Sequence, residues 1–248
     1  MSHLRLEESD TRWWRSARWV QSRLGVVFLM AVMLVAGPVA DASEKKAPSP
    51  QDVKLNRIRV GDFDGMVKDR LIRVLVVHSK TFYFLDGGRQ RGLSYDLLRE
   101  FEKFVNKKYK TKTLKVGVVF FPVPRDKLIP ELVEGLGDIA VANLTITPER
   151  QKQVDFSDPM QTGVKELLVT GPAAPTVTSI DDLAGQKIHV RKSSSYYESL
   201  VLLNNSLKKR GKAPLKLIPA EEIFEDEDLL EMVNAGLIPM IVMDSHKA

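Results

Sequence analysis

The sequence predicts an α/β protein of two lobes, each built on a parallel-rich sheet, and three observations carry that prediction. Short β-branched runs of buried-strand length alternate with segments whose apolar residues recur at helical spacing. The same order of elements occurs on both sides of the breaker cluster GPAAP at 171–175. The segments GLGDIAVAN (135–143) and GLIPMIVMD (236–244) also share an offset: Gly-Leu first, Val at the seventh place, a short polar residue at the ninth. Strands alternating with helices imply parallel sheets covered on both faces.

In the first lobe (71–170), IRVLVV at 72–77 reads as a buried strand. Ser94 is placed to cap a helix in which Leu97, Leu98, Phe101, Phe104 and Val105 recur at helical spacing, and the basic run KKYKTK (107–112) suits its C-terminal dipole. A second strand is expected over 116–123, a helix opened by Pro124 and ended by Gly135, and a third strand over 139–142. In the second lobe (171–248), strands are expected over 187–190, 215–218 and 238–243, with helices over 196–210 and 226–235. Six acids in 221–228 precede the last helix and read as a solvated helix start. The inter-lobe hinge is expected near 168–172.

Residues 1–42 do not read as part of this fold. All three Trp (13, 14 and 19) and five Arg precede LGVVFLMAVMLVA at 24–36, which carries no charge and is followed by Gly37-Pro38 and the small-residue pattern Ala40-Asp41-Ala42. That is the order of a secretory signal peptide, with an uncleaved signal anchor as the alternative. Either predicts export to the periplasm, with membrane contact only through an uncleaved leader. Residues 43–70 are expected to form a linker and a short helix. Of the 37 Lys plus Arg and 32 Asp plus Glu in the 248 residues, 32 and 28 follow residue 42, so the exported part is nearly balanced in charge and nucleic acid is not an expected partner. The absence of Cys excludes thiol chemistry and zinc ribbons. His78, His189 and His246 are too scattered for a metal motif, no phosphate-binding or nucleophile-elbow motif occurs, and no cofactor is expected.

The polar residues just beyond the predicted strands fall on one sheet edge, where open α/β sheets bind ligands. The first lobe offers Ser79, Thr81 and Tyr83, then Asn143, Thr145 and Arg150; the second offers Ser193, Ser194, Ser195 and Asp244. The serines open a helix whose N–H groups favour an anion, Arg150 can grip a carboxylate bidentately, and Asp244 suits an ammonium. Together they describe a site for a small zwitterion. Each also has a plain structural reading: Thr147-Pro148-Glu149 is a helix start, the serines a solvated cap, Asp244 a turn acid, and Phe82-Tyr83-Phe84 partial core. An enzyme on the same scaffold would have only His78 and Asp244 to serve as acid or base.

The segment LTITPERQKQVDFSDPM (144–160) resembles the signature of family 3 extracellular solute-binding proteins. With TFYF, RGLSYDLL, FFPVPRDKLIPEL, VRKSSSYYESL and EDEDLLEMVNAGLIP, the likeness narrows to the N-terminal regulatory module of membrane-bound lytic murein transglycosylases. The resemblance implies a two-lobe periplasmic-binding-protein type 2 fold and an amino-acid-like or muropeptide-like ligand. It further implies that Arg150 and Thr145 hold the ligand carboxylate, that Ser194 and Ser195 assist, and that Asp244 takes the amino group. Partners would be an ABC permease or the cell wall. Ala142-Asn143 and Lys192-Ser193 depart from the residues common in transport relatives. The chain ends at Ala248, before the return strand that such folds use and before any lytic domain, so the expected fold is C-terminally incomplete and binds without catalysis.

Overall fold

The structure is a computed structural model that describes residues 57–248; the expected leader and the polar tether lie outside the described residues. The short helix of the linker is present as α1 (Phe63–Asp69). The first sheet holds β1 (Leu71–Val76), β4 (Gly117–Pro122) and β5 (Ile139–Val141), all parallel, in the order β4-β1-β5. Because β1 is central, alternate residues serve two cores. Ile72, Val74 and Val76 pack with Leu98, Val105, Val118 and Phe120 on one face, whereas Leu75 and Val77 pack with Leu128 and Ala142 on the other. These faces are covered by α2 (Leu93–Lys108) and α3 (Leu128–Val133), the latter preceded by a 3₁₀ turn (Arg125–Lys127).

Two expectations for this lobe need correction. Ser94 lies inside the first turn of α2, and the cap is Gly92, which enters the helix at φ 113° with the Phe82 carbonyl only 2.4 Å from where a Cβ would stand. Leu97 and Phe104 are exposed; Leu98, Phe101 and Val105 face the core. An unanticipated hairpin, β2 (Phe84–Asp86) and β3 (Arg89–Arg91), turns through Gly87 and Gly88 at φ 53° and 82°, the positive-φ pair of a tight two-residue loop.

The second sheet has the order β6-β9-β7-β8, from β6 (Glu166–Thr170), β7 (Lys187–Val190), β8 (Lys216–Pro219) and β9 (Met240–Asp244). It is parallel except for β6, which runs antiparallel to β9 with Glu166 opposite Asp244 and Thr170 opposite Met240. Residues 166–170 therefore belong to the second sheet, although the sequence reading ended the first lobe at 170 and put the hinge near 168–172. Leu168 and Val169 pack on the second core, which draws the strand there; the chain crosses between sheets before Glu166. A 3₁₀ turn (Ile180–Leu183), α5 (Ser195–Lys209) and α6 (Asp226–Asn234) complete this lobe, with α4 (Pro148–Gln151) on the first side of the crossing. Among the described residues no helix is long and apolar enough to cross a membrane.

Candidate functional site

A cleft forms where the C-terminal strand ends of both sheets meet. It is lined from the first lobe by Arg125, Asn143, Thr145 and Arg150, and from the second by Arg191, Ser194, Ser195, Tyr196, Asp226, Asp244 and Lys247. Local sequence explains the placement of the key cation. Thr147 caps α4 by accepting from the Arg150 N–H, Pro148 starts the helix, and one turn suffices to aim Arg150 back at the cleft. Its guanidinium donates to two carbonyls, Thr145 O at 2.7 Å and Ser193 O at 2.9 Å, and so spans the lobes. Arg150 is 8% exposed and, among the described residues, has no carboxylate within ion-pair distance. Burial pulls its pKa down; the field of Glu198 opposes that shift and the field of Arg125 adds to it.

Ser194 caps α5, accepting from the Tyr197 N–H and donating to the Arg191 carbonyl at 2.8 Å. Ser195 is buried in the first turn behind it. Asn143, held at φ 48°, meets His246 of the other lobe with 3.1 Å between Nδ2 and Nε2. Asp244 ends β9, buried, and its backbone N–H donates to the Tyr196 hydroxyl at 3.1 Å. Burial raises the Tyr196 phenol, and the nearby Asp226 and Asp244 raise it further. Six of the ten residues offered by the strand ends thus come together: Asn143, Thr145, Arg150, Ser194, Ser195 and Asp244. The other four do not line the cleft; Ser79 bonds Glu227, and the Ser193 hydroxyl bonds Glu222 while its carbonyl accepts from Arg150. Tyr83 is core, 3% exposed and stacked on Phe120 at 5.4 Å, because the bend after β1 turns the ring inward. Thr81 is exposed and its N–H faces Glu227 at the start of α6.

The sequence reading missed an ionic cluster beneath the cleft. Glu225 and Asp226, expected in a solvated helix start, are 3% and 4% exposed. Arg125 of the first lobe grips Glu225 through two nitrogens, Nε at 2.9 Å, and also donates to the Ala142 carbonyl at 3.0 Å. Arg191 reaches Glu225 at 3.2 Å and pairs with Asp226. Burial alone would raise the Asp226 carboxyl, yet Arg191 and Lys247 hold it below the usual range; burial likewise opposes charge on Arg125, and Glu225 outweighs it. Ser79 and Lys80 add further inter-lobe contacts to α6, with Lys80 Nζ 2.7 Å from Glu231 and 3.0 Å from Asp228. The signal available in the sequence was the position of Arg125 and Arg191, each just beyond a predicted strand.

Comparison with known proteins bears on the family and the fold. A family model described as bacterial extracellular solute-binding proteins, family 3, matches residues 72–242. Similar curated proteins include the membrane-bound lytic murein transglycosylase F of Methylobacillus flagellatus, 25% identical over 224 residues, covering 90% of this chain and 41% of that protein. The protein of the same name from Pseudomonas fluorescens is 28% identical over 182 residues, covering 73% and 34%. The chain therefore spans between about a third and two fifths of the length of these relatives. Among solved structures, an ancestral arginine-binding protein bound to arginine aligns with TM-score 0.53 at 28% identity, covering 71% of this chain and 70% of that one. An ancestral amino acid-binding protein, a precursor of cyclohexadienyl dehydratase, aligns with TM-score 0.58 at 28% identity, covering 73% and 74%. With its two parallel-rich lobes in the type 2 periplasmic binding fold and the family model matching well over half its length, the chain belongs to the family 3 bacterial extracellular solute-binding proteins.

Proposed function

We propose that the chain is an exported, periplasmic solute-binding domain that closes its lobes on a small amino-acid-like or peptide-like ligand and catalyses no reaction itself. The observation that carries this reading is Arg150: a buried guanidinium at the inter-lobe cleft with carbonyl partners but, among the described residues, no acid. An uncompensated buried cation is costly, and a ligand carboxylate relieves that cost by a charge-assisted, bidentate pair. Thr145 and Asn143 would wall the carboxylate side, and the α5 N-terminus with Ser194 and Ser195 would add donors. The amino acid-binding neighbours support the ligand class.

A thermal-shift screen of amino acids and short muropeptide-like peptides tests this. We expect at least one to raise the melting temperature, and Arg150→Ala to abolish the shift. Unchanged stabilisation in that variant overturns the role given to Arg150. The names of the transglycosylase relatives favour a second reading, in which the domain is the regulatory part of a cell-wall lyase. Mixing the chain with murein separates the two ideas. Release of soluble muropeptides by the chain alone contradicts a purely binding role, whereas ligand-dependent stimulation of a lytic domain supports the regulatory one.

A further inference from the structure

The charges of the cleft are arranged as pairs with one exception. Glu225 neutralises Arg125, and Arg191 has Glu225 and Asp226. The two acids best placed for a ligand ammonium, Asp226 and Asp244, already share a cation of the chain itself. Lys247 Nζ stands 2.6 Å from Asp226 and 3.6 Å from Asp244, with its side chain 13% exposed. Its backbone is held by a turn: the Lys247 and Ala248 N–H groups donate to the Asp244 carbonyl at 2.9 and 3.2 Å, and the Ser245 N–H donates to the Lys165 carbonyl at 2.7 Å. A primary ammonium, the same group that a free amino acid would bring, thus stands beside both carboxylates. Among the described residues, the cleft cation left without an acid is Arg150.

We propose that Lys247 is a built-in ammonium in the amino subsite, so that the cleft selects carboxylates whose neighbouring nitrogen is acylated and uncharged, over free amino acids. The inference rests on the reading of Arg150 as the carboxylate site. A second ammonium beside Lys247 would meet like charge in a desolvated pocket, which is the repulsive element that specificity requires. An amide nitrogen keeps an N–H donor for Asp244 without adding charge.

Isothermal titration of the purified full chain in detergent tests it, with three probe sets: the twenty L-amino acids, their Nα-acetyl derivatives, and the corresponding glycyl dipeptides. The expected result is binding of acylated probes about tenfold or more tighter than that of their free counterparts. Binding of both acylated sets indicates that any acyl group is accepted, and binding of the dipeptides alone that the source is a peptide C-terminus. Lys247→Met should erase or reverse the preference, and Lys247→Arg should keep it. Wild-type preference for free amino acids, or a preference unchanged in Lys247→Met, overturns the proposal. If those free amino acids lose binding in Arg150→Ala, the carboxylate reading survives and only the role of Lys247 falls. Binding of no probe, or binding of every probe independently of Arg150, overturns both.

Discussion

Asp138 illustrates how much a single side chain carries here. It lies 3% exposed between two arginines, with Arg73 Nη2 at 2.8 Å and Arg59 Nε at 3.2 Å, and it also accepts from the Arg73 backbone N–H at 2.8 Å. Burial pushes its carboxyl up, but the hydrogen bonds from Arg73 and Arg59 outweigh burial and hold it below the ordinary range. A folded-state value below the unfolded one of about 3.9 means that the stabilisation is complete above that pH. It is lost as pH falls through the folded value. Urea melts should therefore show a steep acid limb below about pH 4 that flattens in Asp138→Asn. At neutral pH that variant should lose about 3–5 kcal/mol, since it leaves the buried Arg73 guanidinium without its carboxylate, while the partly exposed Arg59 keeps Asp69. None of this was legible in the sequence, where Arg73 reads only as an interruption in a buried strand and Asp138 as a loop acid before the next.

At the scale of elements, the start of α5 was legible because local chemistry determines it. A serine run ahead of an amphipathic stretch is a cap, and Ser194 occupies that position. Ser194→Ala should cost about 1 kcal/mol and Ser194→Gly only a few tenths, in chemical denaturation without ligand; equal costs would show that the Arg191 carbonyl contact dominates over the cap. The three strands of the first sheet were legible for a related reason: they carry apolar residues on both faces. The start of α6 was misread because negative charge at a helix N-terminus already has a sufficient local explanation. Its partner Arg125 lies 100 residues away, and no pattern in sequence couples the two. Strand β6 was missed on similar grounds, since ELLVT is followed by the breakers that suggested a hinge, and only its pairing with β9 settles its sheet.

At the scale of the whole molecule, the lobes are joined by more than the crossing chain. The Arg125–Glu225 pair is buried, and Ser79 and Lys80 grip the same helix start, so the observed arrangement of the lobes has internal ties within the chain itself. Glu225→Gln removes the charge that Arg125 and Arg191 share. We expect it to cost about 3–5 kcal/mol in unfolding and to expand the particle in small-angle scattering relative to wild type. A scattering profile unchanged by the substitution would mean that apolar and backbone contacts alone keep the lobes together.

The Arg59–Arg73–Asp138 cluster has a mechanical consequence as well. It fastens residues 57–59 to the N-terminal ends of the first sheet's strands, with Arg73 also donating to the Arg57 and Gly135 carbonyls, while the cleft occupies the opposite, C-terminal ends. Load applied at residues 57–59 would therefore fall on several charge-assisted bonds at the foot of the first sheet, at the end opposite the cleft.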